Sequence, residues 1–228
     1  MIPLRDNIPS RNYPIVNILL IWANLVVFAF EISQGPHLGA FIGHYGLVPA
    51  RLMHEGLTLA TVSSIFASMF LHASALHVIG NMWFLYLFGD NVEDRLGHGL
   101  YLVFYFLCGI SAFLVHLCFN YTSPIPTIGA SGAIAGVLAG YMILYPQARI
   151  ACLVFFITIV EIPALVFIGL WIAFQFLSGL SSIGHASASG GVAVWAHVGG
   201  FVAGLILIKA FCNKRDGQRY PYDVVPGR

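Results

Sequence analysis

Residues 126–141 read PTIGASGAIAGVLAGY. After Pro126 the run is almost wholly small and apolar, and glycine recurs at positions 132, 136 and 140. In lipid, a small residue at every fourth position lets two helix backbones approach closely. The stretch is therefore expected to be a membrane helix running from Ser131 to about Tyr145. Its first turn carries one hydroxyl, Ser131, flanked by Gly129 and Gly132.

The rest of the chain agrees with a membrane setting. Of its 228 residues 59% are hydrophobic and only 8% are charged, against roughly 25% charged in soluble domains. Mean hydropathy is +0.86. No basic cluster suggests a nucleic-acid partner. Cys108, Cys118, Cys152 and Cys212 have no metal-binding spacing and read as buried small hydrophobes.

Hydrophobic runs define six spans, approximately 13–32, 76–91, 99–120, 131–145, 163–180 and 195–212. The expected architecture is an all-α membrane protein, a bundle of six transmembrane helices in one domain over residues 1–228. The first run lacks a convincing cleavage site after it and is read as a retained span. The long connection after it is half apolar and is expected to lie partly in the membrane interface. Residues 146–163, PQARIACLVFFITIVEIP, are expected to form an interfacial or re-entrant connection. Nine of the ten Lys and Arg residues fall on the side shared by both termini, and only Arg51 falls on the other. The positive-inside rule then places both termini in the cytoplasm.

With that topology, spans two, four and six begin at one depth, near the outer face. Span two opens with His72, His77 and Asn81, span four with Ser131, and span six with His197. Polar side chains are expensive inside a membrane and normally face a cavity or one another. Gly200 and Gly204 on span six match the small face of span four. Packing the two faces would bring His197 to Ser131, and a serine hydroxyl bonded to an imidazole is an activatable nucleophile. None of the nine acidic residues is placed near that end of spans four and six, so a Ser-His dyad is expected, not a triad. The first-turn N–H of Ser131, with His77 and Asn81 four residues apart on one helix face, could supply oxyanion donors.

These motifs resemble the rhomboid family of intramembrane serine proteases. The marks are GASG (129–132), HASALHVIGN (72–81), VEDRLG (92–97) and AHVGG (196–200), in order along the six spans. YGLVPARL (45–52) is similar to bacterial members. The resemblance implies a nucleophilic Ser131, a general base His197, and an oxyanion hole of His77, Asn81 and the Ser131 backbone, with Gly129 and Gly132 in support. His72 matches a further histidine position with a supporting role. Glu93 and Arg95 match a structural motif at the inner turn. Some members stack an aromatic residue on the histidine from one turn after the serine, where this chain has Ala135. The resemblance further implies the minimal six-span form in a bacterial inner membrane and single-pass transmembrane substrates cut near the outer face; the sequence itself offers no cofactor or metal site. Span five, with the loop SSIGHASASGGVAV (181–194) and its His185, is expected to gate and wet the site.

Two other protease chemistries lack their residues. HEGLT at His54 has Thr58 where a zinc-binding HExxH needs its second histidine. Asp90 is alone where an aspartyl protease needs a pair. The competing class is a non-catalytic binder of transmembrane helices, or a small transporter, using the same cavity.

Overall fold

The computed structural model describes residues 1–182 and 193–213. Most of the 181–194 loop, with His185, lies outside the described residues, as does the chain from 214 onward. A short strand β1 (Ile2–Arg5) precedes helix α1 (Ile15–Ser33). Three short helices follow, α2 (Leu38–Tyr45), α3 (Pro49–Glu55) and α4 (Leu59–Ala67). The long helices α5 (Ala75–Leu96) and α6 (His98–Asn120) lead to α7 (Ser131–Leu144). Strands β2 (Arg149–Val154) and β3 (Thr158–Pro163) then precede α8 (Ala164–Ser182) and α9 (Val194–Asn213).

The chain is thus mostly helical, and α1, α6, α8 and α9 are each long and apolar enough to cross a membrane. The other two expected spans differ in kind. The last turns of α5 carry Asp90, Glu93, Asp94 and Arg95. Helix α7 has 14 residues, which is about 21 Å at 1.5 Å per residue, short of the ~30 Å hydrocarbon layer. It forms instead the core of the bundle. Every residue from Gly132 to Tyr141 is buried.

Two expectations are corrected. The chain is mostly helical but not all-α, and residues 146–163, expected as an interfacial or re-entrant connection, hold regular β-structure instead of the irregular backbone of a re-entrant loop. They form an antiparallel hairpin, with Ile150 opposite Ile162 and Cys152 opposite Val160. β1 pairs antiparallel on its free edge, giving the order β1-β2-β3. The stretch is rich in β-branched residues, which favour a pleated surface over a helix. Its strands are too short to cross lipid, and the hairpin satisfies their backbone groups. Pro3 sits in the edge strand, where a missing N–H is tolerated. A third correction concerns Cys118, which is exposed on α6 where burial was expected.

Glu93, expected to be structural, closes the end of the bundle opposite Ser131. Its carboxylate accepts the N–H groups of Val16 at 2.9 Å and Asn17 at 2.7 Å. These belong to the first turn of α1, whose N-cap, Pro14, offers no side-chain acceptor. An acidic group from α5 thus satisfies free donors at the positive end of α1. Asn17 is tied further, donating to the Leu85 carbonyl and accepting from the Tyr101 hydroxyl.

Candidate active site

The site is assembled at the N-terminal ends of α5, α7 and α9. α5 starts where it does because Ser74, in extended conformation, accepts the His77 N–H at 3.2 Å. That cap puts His77 and Asn81 in the first two turns. α7 starts at Ser131 with no side-chain cap, so the hydroxyl is not spent on its own backbone. Instead Ser131 Oγ lies 2.8 Å from His197 Nε2. His197 stands in the first turn of α9 and is only 5% exposed.

The glycine repeats bring these two residues together. A Cβ on Gly200 would lie 1.9 Å from the Gly132 carbonyl oxygen, and one on Gly204 would lie 2.4 Å from that of Gly136. α7 and α9 therefore touch backbone to backbone, one turn below Ser131 and His197. Gly132 also faces Ala112 of α6, where a Cβ would approach to 2.6 Å.

Gly129 has φ +125°, and a Cβ there would lie 2.8–2.9 Å from the His77 ring. The glycine permits both the turn into α7 and the approach of His77 to the serine's own loop. Its N–H donates to the Ser68 carbonyl at 2.8 Å, pinning that loop to the end of α4. Asn81, 8% exposed, donates an amide hydrogen to His72 Nε2 at 3.0 Å. His72 Nδ1 faces the Phe70 carbonyl at 3.2 Å. One tautomer satisfies both contacts, with Nδ1–H donating and Nε2 accepting. The His72 backbone N–H is held in turn by the buried carboxylate of Glu31. His72 therefore orients Asn81, and the second amide hydrogen of Asn81 stays available. The His72 and His77 rings meet edge to face at 5.1 Å. A cavity beside Ser131 is lined by Ser68, Met69, Thr127, Gly129, Gly132 and Ala196.

Two residues at the site were not anticipated. Gln175 of α8 places Oε1 2.8 Å from His197 Nδ1. Trp171, one turn earlier, packs its ring 5.6 Å from the His197 ring at an angle of 37°. Ala135, where an aromatic was looked for, is fully buried among the helices, and an aromatic reaches the histidine from α8 instead. The signal for Gln175 was present as the single amide of a mostly apolar span. Among the described residues, no three His, Cys, Asp or Glu side chains converge as a metal site.

The sequence profile of the Rhomboid domain matches residues 59–214, more than half of the chain. The chain belongs to the rhomboid family. Three relatives show the range of likeness. Rhomboid protein 1, mitochondrial, of Saccharomyces cerevisiae is 27% identical over 83% of this chain and 52% of its own length. Presenilin-associated rhomboid-like protein, mitochondrial, of Bos taurus is 35% identical over 39% of this chain and 24% of its own. Rhomboid protease GluP of Bacillus subtilis is 27% identical over 80% of this chain and 32% of its own. The chain thus matches about half or less of the length of these relatives. The mitochondrial names give no support to a bacterial inner membrane in particular. What stands is a membrane protein with several apolar helices.

Proposed function

We propose that this rhomboid protein is a serine endopeptidase that cuts transmembrane segments within the bilayer. The observation that carries this reading is the 2.8 Å contact between Ser131 Oγ and His197 Nε2 at the buried meeting of α7 and α9. The likeness to GluP of Bacillus subtilis, a rhomboid protease, points the same way.

In this mechanism Ser131 Oγ attacks the scissile carbonyl carbon while His197 Nε2 takes its proton. The negative charge that develops on the carbonyl oxygen is met by the Ser131 N–H, the free amide hydrogen of Asn81 and the His77 ring N–H. The first-turn N–H has no intrahelical partner, and each such donor is worth up to ~3–4 kcal/mol at the transition state. His197 then gives the proton to the departing amine, leaving an acyl-enzyme on Ser131. Water, activated by the same histidine, releases the new carboxyl end.

All six long or buried helices cross the bilayer in this reading, with the Lys- and Arg-rich end on the cytoplasmic side. The short α7 keeps Ser131 below the outer surface, level with the end of a substrate helix. The α2–α4 segment lies in the interface, where its exposed Leu57 and Leu59 meet lipid. The substrate is a single-pass segment that unwinds readily, since a helical peptide bond is shielded by its own hydrogen bonds.

The test uses the purified protein in liposomes with a model transmembrane substrate, beside Ser131→Ala and His197→Ala. Cleavage and fluorophosphonate labelling are expected in the parent protein, and neither in the variants, at unchanged unfolding temperature. A parent protein that neither cuts nor labels would remove the nucleophile and leave a non-catalytic binder of transmembrane helices.

A further inference from the structure

Among the described residues, the Ser131–His197 pair lacks the carboxylate that usually holds a catalytic imidazole in place, and the His197 ring bonds only the Gln175 amide and the Ser131 hydroxyl. Among the described residues, two further imidazoles, those of His77 on α5 and His116 on α6, interact electrostatically with His197. Neither is a carboxylate, and His116 Nε2 is engaged by the Thr127 hydroxyl at 3.0 Å. An imidazole with no partner on Nδ1 is free to carry its proton on either nitrogen. Only the form protonated at Nδ1 leaves Nε2 able to accept the serine proton.

We infer that Gln175 is the positioning residue for His197, holding the imidazole in the tautomer and orientation that accept the Ser131 proton. The inference rests on the protease reading above and assigns a third member to its site. The Gln175 carbonyl oxygen accepts Nδ1–H at 2.8 Å, while Nε2 faces Ser131 Oγ at the same distance. As His197 becomes charged during the reaction, the amide dipole stabilises it, more weakly than a carboxylate would.

The placement of Gln175 is specific. Ile168 and Gly179 are buried, and Trp171 and Gln175 lie between them at three- and four-residue steps, on the inward face of α8. Phe174 and Phe176, on either side of Gln175, are exposed instead. An amide in a membrane helix needs a partner inside the protein, and this one finds His197. Trp171 covers the ring from the same helix. Both contacts therefore come from one element, and α8 is a peripheral one. Only 22% of its span is buried, against 44% for α9. The orientation of His197 thus depends on α8 being seated against α9, so the dyad is complete only when that helix is in place.

The test compares Gln175→Leu and Gln175→Glu with the parent protein in liposomes. It measures kcat and KM on a model transmembrane substrate, the rate of fluorophosphonate labelling, and the unfolding temperature. Gln175→Leu is expected to lower kcat and the labelling rate by roughly ten- to a hundredfold, the scale of one hydrogen bond to a charged group. KM and the unfolding temperature should stay unchanged. Gln175→Glu, which can only accept from Nδ1–H, should restore most of the labelling rate. Full activity in Gln175→Leu with a labelled, cleaving parent overturns the inference and leaves the protease reading standing. A loss accompanied by a lower unfolding temperature, or one that Gln175→Glu does not recover, assigns Gln175 to packing and also overturns it. If the parent protein neither labels nor cleaves, the protease reading itself fails and the inference falls with it.

Discussion

Helix α9 meets its neighbours α7 and α8 in two different ways. Against α7 it packs backbone to backbone, through Gly132, Gly136, Gly200 and Gly204, with no side chain between. Against α8 it packs near the site through separate side chains: Gln175 and Trp171 on His197, and Trp195 beside Gly179. The first contact cannot slide or open without losing close packing over several turns. The second can be undone by moving one peripheral helix. The tight contact sets how far Ser131 is from His197, and the loose one sets which way the imidazole faces.

The largest expected effect comes from breaking the tight contact. Gly200→Ala puts a methyl 1.9 Å from a backbone oxygen that cannot swing aside. Relieving it means separating α7 and α9 by a good part of an ångström. Overpacking of this kind costs ~3 kcal/mol or more, or about 6–12 °C in a domain of this size. Misplacement of the dyad should cost roughly a hundredfold in kcat. Calorimetric or dye-based unfolding in detergent, with turnover of the same sample, measures both. An unchanged unfolding temperature would mean that the two helices are not in backbone contact.

A smaller effect should come from pinning the loose side. Phe167 of α8 stacks on Phe84 of α5 with ring centres 6.4 Å apart. Joining Phe84→Cys to Phe167→Cys with a short bifunctional reagent, in a Cys118→Ser background, would hold α8 seated. If substrate helices enter past α8, cleavage of a transmembrane substrate should fall about tenfold or more. Fluorophosphonate labelling, which needs only a seated His197, should persist, since a tenfold loss is only ~1.4 kcal/mol of access and not a lost nucleophile. Equal cleavage with and without the crosslink would place the entry route elsewhere.

The smallest effect lies at the opposite end of the bundle and serves as a control on both contacts. Burial raises the Asp6 carboxyl above its ordinary value of 3.8, and the hydrogen bond from the Tyr141 hydroxyl opposes this only in part. The folded state therefore holds the Asp6 proton more tightly than the unfolded one. That contribution is complete below 3.8 and is lost as the pH rises through the raised folded value. Asp6→Asn keeps an acceptor for Tyr141 without the charge. At pH 7 it should raise the unfolding temperature by a few degrees, at ~2–4 °C per kcal/mol. The gain should shrink toward zero below pH 4, with the labelling of Ser131 unchanged throughout. A loss of stability at neutral pH would show that the carboxylate has a partner whose attraction exceeds its burial cost.

The two contacts also differ in how legible they were. A small residue at every fourth position is a local pattern, and its consequence in lipid is general. The α7–α9 pairing and the meeting of Ser131 and His197 could therefore be read from residue spacing, whereas the approach of His77 to Gly129 came only with the fold. Gln175 follows no such pattern. One amide among Ala164–Ser182 shows that a partner exists, and not which one. The role of His72 was open for the same reason, because Phe70, Glu31 and Asn81 reach it from three separate segments.

Composition and spacing were enough for the membrane setting, most helix positions, the family motifs and the close packing of α7 on α9. Each of these depends on side-chain periodicity and on transfer from water to lipid, both properties of a local stretch. The hairpin at 149–163, the edge pairing of β1, the capping of α1 by Glu93 and the seating of His197 by α8 came only with the folded chain. Each joins donors and acceptors far apart in sequence, and a backbone or buried polar group takes whichever partner the packing brings within hydrogen-bond distance.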